Sequence, residues 1–147
     1  MSTEYFIFVN SNNINEVLRV MSTVGGVELR ERQLLIDGLL STEVAALDPL
    51  SREIMREDYG EYGLDVNWRI GGTHDESFDV VELIVRLFSC AAAVVNTWPD
   101  NNVSVMRNGE SFYMINTSEN LIISGTYVKE RPCLVSLFKK TAIIRNM

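Results

Sequence analysis

Histidine occurs once in these 147 residues, cysteine twice, tryptophan twice and proline three times, and each scarcity excludes something. A single His74 cannot supply a multi-histidine metal centre, and any nucleophile and base pair would have to be built around that one ring. Cys90 and Cys133 are too few and too far apart to form a framework of bridges, which makes a reducing cytoplasm the simpler setting. No Gly-rich phosphate loop or regular metal-ligand spacing occurs, so no cofactor and no metal are expected. The most apolar stretch, residues 80–95, falls short of the roughly 20 residues a bilayer requires and is interrupted by Glu82 and Arg86, so it reads as a buried helix. Residues 1–9 lack a basic leader and run directly into a strand-like pattern, so no secretory signal is expected. Positive charge is also short. Thirteen Lys and Arg against 20 Asp and Glu give a formal charge of −7, which argues against nucleic acid and against an anionic membrane surface.

What the chain does have is concentrated acid. Residues 37–82 carry twelve Asp and Glu against Arg52, Arg56 and Arg69 alone, whereas from Lys129 onward Lys129, Arg131, Lys139, Lys140 and Arg145 face only Glu130. Two opposite fields on one small chain, with no catalytic constellation, point to protein binding, with an acidic face inviting a basic partner. The length suits one domain, 1–147, and 46% hydrophobic content is enough for one continuous core.

Periodicity sets the order of elements. Tyr5, Phe6, Ile7, Phe8 and Val9 are apolar on both alternating sets, as in a central strand. Asn13 with Glu16 reads as a capping box ahead of Ile14, Val17, Leu18 and Met21, and Gly25-Gly26 would end that helix. Residues 27–36 and 39–47 read as strands about an Asp37-Gly38 turn. Asp48 and Pro49 open a short helix with Leu50, Ile54 and Tyr59 as its narrow apolar edge and Arg52, Glu53, Arg56, Glu57 and Asp58 opposite. Residues 64–70 alternate, placing Leu64, Val66, Trp68 and Ile70 on a core face and Asp65, Asn67 and Arg69 on a polar one. A long helix starts near residues 77–79, and Asn108-Gly109 predicts a two-residue hairpin pairing Arg107 with Glu110, Val105 with Phe112 and Val103 with Met114. Residues 121–124 add a strand, and residues 134–144 fit either strand or helix. The expected fold is α+β: a two-layer domain with a mainly antiparallel sheet and helices packed on one face, residues 126–147 being unassigned.

Several groups qualify as candidate sites. His74 with Asp75 and Cys90 could form a nucleophile and base, but Cys90 falls within an apolar helical stretch, where it serves as a core hydrophobe. Asp75, Glu76 and Asp79 could hold a hard cation, yet they lack calcium-loop spacing, and acids at a helix start favour the macrodipole reading. The candidate partner-binding set is Glu53, Glu57, Asp58, Glu61, Tyr62, Asp65, Asn67, Arg69 and Asp75. Asp65, Asn67 and Arg69 offer an acceptor, an amide and a donor fork, which suits recognition and equally suits an ordinary solvent face; nearby Tyr59, Tyr62 and Trp68 favour an interface.

Across residues 4–124, the opening Glu4-Tyr5-Phe6-Ile7-Phe8-Val9 is followed by Asp58-Tyr59-Gly60 ahead of Leu64-Asp65-Val66-Asn67-Trp68-Arg69-Ile70. The long helix and the run from Asp100 through Asn108-Gly109-Glu110 to Leu121-Ile122-Ile123 complete a pattern that resembles the immunity proteins of the swarming-inhibition toxin systems. The resemblance implies a cytoplasmic, non-enzymatic protein that binds and neutralises a cognate bacterial toxin; the acidic block adds the expectation of a basic surface on that toxin, and the chain is expected as a monomer or homodimer. A small acidic secretion chaperone, holding an unfolded effector segment, is the alternative from another class.

Overall fold

A computed structural model describes residues 2–31 and 33–146, so Met1, Arg32 and Met147 of the expected 1–147 domain lie outside the described residues. The fold is α+β. Its main sheet is built around β1 (Glu4–Val9), flanked by β5 (Trp68–Thr73) and β6 (Val103–Arg107). On one side β4 (Glu43–Ala46) forms the edge; on the other follow β7 (Ser111–Asn116), β8 (Leu121–Ser124) and β9 (Ala142–Arg145), giving seven strands in the order β4-β5-β1-β6-β7-β8-β9. All pairings are antiparallel except β8 with β9. A separate two-stranded ladder joins β2 (Val27–Arg30) to β3 (Gln33–Ile36).

The central place of β1 explains its double apolar pattern. Tyr5, Ile7 and Val9 enter a core shared with α1 (Ile14–Met21) and α3 (Val80–Thr97), where Leu83, Leu87, Phe88, Ala91, Val94 and Val95 are fully buried. Each fully buried Leu, Val or Phe side chain contributes roughly 1.5–3 kcal/mol relative to an exposed one, so α3 is the main anchor of the sheet. Phe6 and Phe8 point the other way, into a smaller cluster with Met55, Tyr59, Leu64, Val66, Met106 and Ile115. That reverse cluster is covered by α2 (Pro49–Asp58), so α1 and α3 form the expected helical layer while α2 lies alone on the opposite face.

Four local expectations are corrected. First, Asp37-Gly38 is not a hairpin turn: the hairpin closes earlier, with Arg30 opposite Gln33 and Glu31 at φ 55°, and β4 leaves β3 to pair with β5. Arg86 on α3 fixes this path by donating to the carbonyls of Gly25 and Asp37, at 3.1 and 2.8 Å. Second, β5 begins only at Trp68, because residues 64–67 stand outside the ladder; Leu64 and Val66 enter the reverse cluster while Ile70 and the half-buried Trp68 pack on the α3 side. Third, Asn108 and Gly109 do take positive φ, 52° and 69°, with Glu110 N donating to Arg107 O, but the strands pair as Arg107 with Ser111 and Met106 with Phe112. A bulge at Tyr113 then sets Val105 against Met114, so consecutive Tyr113 and Met114 both enter the α3-side core and Phe112 packs against the reverse cluster. Fourth, the Asn13 side chain makes no cap bond, and α1 ends at Met21, ahead of Gly25-Gly26, with Ser22 and Thr23 hydroxyls donating to Arg19 O and Val20 O.

The unassigned 134–144 segment is both things in turn. After α4 (Gly125–Glu130), the short helix α5 (Cys133–Ser136) buries Leu134, and the chain returns as β9.

Candidate functional site

Helix α2 starts as its sequence dictates: the Asp48 carboxylate accepts from Ser51 N at 2.8 Å, and Pro49 occupies the first turn, where an amide would have no helical partner. Of its expected apolar edge only Tyr59 is buried, and Met55 rather than Leu50 and Ile54 joins it. Arg52 and Arg56 both fork onto Asp65, with Nε to Oδ1 and Nη2 to Oδ2 distances of 3.0 to 3.2 Å. Hydrogen bonds from Arg56 and Arg52 hold the Asp65 carboxyl down to about 2. Outward, Leu50 is 67% and Ile54 47% exposed, and with Glu53 and Glu57 they fall on one stripe at helical spacing. Among the described residues Glu53, Glu57 and Asp58 form no ion pair. The helix therefore presents two exposed aliphatic side chains among carboxylates that form no ion pair with a described residue.

The acid continues past the helix. Glu61 and Tyr62 belong to the 3-10 turn Gly60–Tyr62, and both Tyr59 and Tyr62 meet Phe112 edge to face, with ring centroids 5.7 and 5.3 Å apart. Burial, then Asp58 and Glu110, push the Tyr59 hydroxyl up; burial, then Glu61, do the same at Tyr62. Beside α2 opens a groove of about 330 Å³ with Phe6, Phe8, Leu47, Ile54 and Met55 along it and Arg69 at its margin.

The structure separates the remaining predicted residues from this surface or occupies them. Asp65 is held by its two arginines. Asn67 pins the loop after β1, its side chain accepting from Ser11 N and donating to Ser11 O at 2.8 and 2.9 Å. Arg69 reaches Glu43 at 2.7 Å and lies over the Phe6 ring at 4.9 Å. Asp65, Asn67 and Arg69 thus do not form one polar strand face. Asp75 stands at the other end of β5, where it accepts from the amide and hydroxyl of Ser77, and Asp79 caps α3 through Val81 N. Those three bonds account for Asp75 and Asp79 as local turn and cap acceptors, and among the described residues no three His, Cys, Asp or Glu side chains gather as a metal-ligand cluster.

His74 Nε2 donates to the carbonyl of Phe78 at 2.8 Å, and its ring meets Tyr5 edge to face. Cys90 is fully buried on α3, and burial pushes its thiol up to about 12, which keeps it protonated and away from solvent. Sequence reasoning also missed an open dish of about 600 Å³ between the 10–13 and 97–101 loops; only the crowding of asparagine there signalled it. No family model, curated protein or solved structure matches this chain.

Proposed function

We propose that this protein is an immunity protein that neutralises a cognate toxin by binding it, without chemistry of its own, and that α2 with the Gly60–Tyr62 turn is the contact surface. One observation carries the reading: Leu50 and Ile54 stand exposed on a helix whose neighbouring Glu53, Glu57 and Asp58 form no ion pair among the described residues. Exposing two large aliphatic groups loses burial free energy within the free protein, and a protein partner recovers it. The carboxylates around them suit a basic toxin surface, steering its approach and excluding acidic competitors. The guanidinium groups of Arg52 and Arg56, which would blunt that field, pair with Asp65. The groove beside Ile54 gives a protruding toxin side chain an apolar slot.

The test is to search the neighbouring genes for a toxin-like reading frame and co-express it with this protein, followed by calorimetry on the purified pair; the absence of any such frame beside the gene would count against the reading. Rescue of growth and a complex with the folded toxin domain, both lost in Leu50→Asp with Ile54→Asp, is the result the reading requires. Binding only to an unfolded segment would instead indicate a secretion chaperone. Rescue that survives the double substitution would remove α2 from the interface.

A further inference from the structure

On the face of the sheet opposite α2 lies a partly enclosed cavity of about 240 Å³ that the proposed toxin contact does not use. Its walls are Ile84 of α3 and the buried Leu134 of α5, and its floor is formed by Tyr5 and Tyr113, both nearly inaccessible to solvent. Tyr127 of α4 closes over Tyr113 with ring centroids 3.9 Å apart. Arg107, at the end of β6, and Arg131, just after α4, line the same cavity, and neither forms an ion pair or side-chain hydrogen bond with any described residue. That is unusual company for an apolar hollow. Both arginines line the hollow, and no carboxylate of a described side chain lines it with them.

We propose that this cavity is a binding site for a small amphipathic carboxylate, its apolar body between Ile84 and Leu134 and its carboxylate at Arg107 and Arg131. The volume equals about eight water-sized portions of liquid, which suits a ligand of roughly ten non-hydrogen atoms. A guanidinium fork matches a carboxylate in two-point geometry and gains most where one side of the contact is apolar, whereas a neutral alcohol of the same length would leave both forks unmatched. The cavity is formed by elements that come together only because the chain crosses from β8 through α4 and α5 to β9, so the site belongs to the whole chain.

The experiment is a titration of the ¹⁵N-labelled full chain with sodium octanoate and, in parallel, 1-octanol. The expected result is saturable shifts of the Ile84, Tyr113 and Leu134 amides by octanoate, with octanol at least tenfold weaker and Arg107→Gln and Arg131→Gln each weakening octanoate about tenfold. Both arginines are exposed, so these variants should keep the parent melting temperature. Ile84→Trp, which fills the hollow, should abolish the shifts; if that variant does not fold, the arginine pair decides. Equal affinity for octanol, no saturable shift up to millimolar octanoate, or indifference to both arginine substitutions would overturn the proposal.

Discussion

Arg56 meets Asp65 through two parallel contacts, Nε to Oδ1 and Nη2 to Oδ2, each 3.0 Å long. Arg52 repeats the fork on the same carboxylate. One acid thus engages the guanidinium groups of both α2 arginines, although Arg52 and Arg56 keep 34% and 52% of their side chains exposed.

Asp65→Asn should cost about 1 kcal/mol at neutral pH, the partial exposure of all three groups keeping the figure near that of a good surface pair. The sign with pH follows from a carboxyl held at about 2: its contribution is complete above the ordinary carboxylate range and is lost as pH falls from about 4 towards 2. Urea melts across that window should show the parent losing its advantage over Asp65→Asn, and a constant difference between the two would refute the pairing.

Glu57→Lys with Asp58→Lys should leave the melting temperature within about 2 °C of the parent, because neither residue has an ion pair to lose among the described residues. Association with a basic toxin should slow and its salt dependence flatten, with dissociation changed less. Stopped-flow association at several ionic strengths reads both.

The two edges of α2 should respond oppositely to alanine. Met55→Ala should cost about 2–4 kcal/mol in denaturant melts, as for a buried methionine, while Leu50→Ala should stay within about 0.5 kcal/mol. Equal costs would place the helix with a different face inward.

Gly109→Val should destabilise by about 1 kcal/mol or more: φ is +69°, and although space around the site is open, a β-branched side chain resists that backbone region. An unchanged thermal transition would argue against the turn.

A thiol reagent under native conditions should modify one cysteine per chain. Cys133 is exposed, whereas Cys90 is buried with its thiol pushed up to about 12, so the second equivalent should appear only on unfolding. Two fast equivalents in the native protein would contradict the packing of α3.

The sequence was most legible where a residue's surroundings lie nearby in the chain. β1 announced burial on both faces, Asp48-Pro49 announced a helix start, and Asn108-Gly109 announced a turn with two positive φ values. Pairing across longer distances was not legible. Nothing in the pattern of α2 shows that Arg52 and Arg56 will find Asp65, so Leu50 and Ile54 looked like its inward edge. Alternation over residues 64–70 suggested one strand with one core face, but the first four residues leave the ladder and exchange faces. The bulge at Tyr113 shifts the hairpin by one residue without any glycine or proline to mark it.

Strand β9 hangs on the sheet through a single parallel partner, β8, and carries Ile143 and Ile144 at 40% and 46% exposure. Strands of this kind open first, since little buried area holds them and one ladder must break rather than two. Amides of residues 142–145 should therefore exchange with deuterium well before those of β1, which is laced on both sides. Were β9 to peel away, β8 with Ile122 would become a new apolar sheet margin, a template for pairing with a second chain.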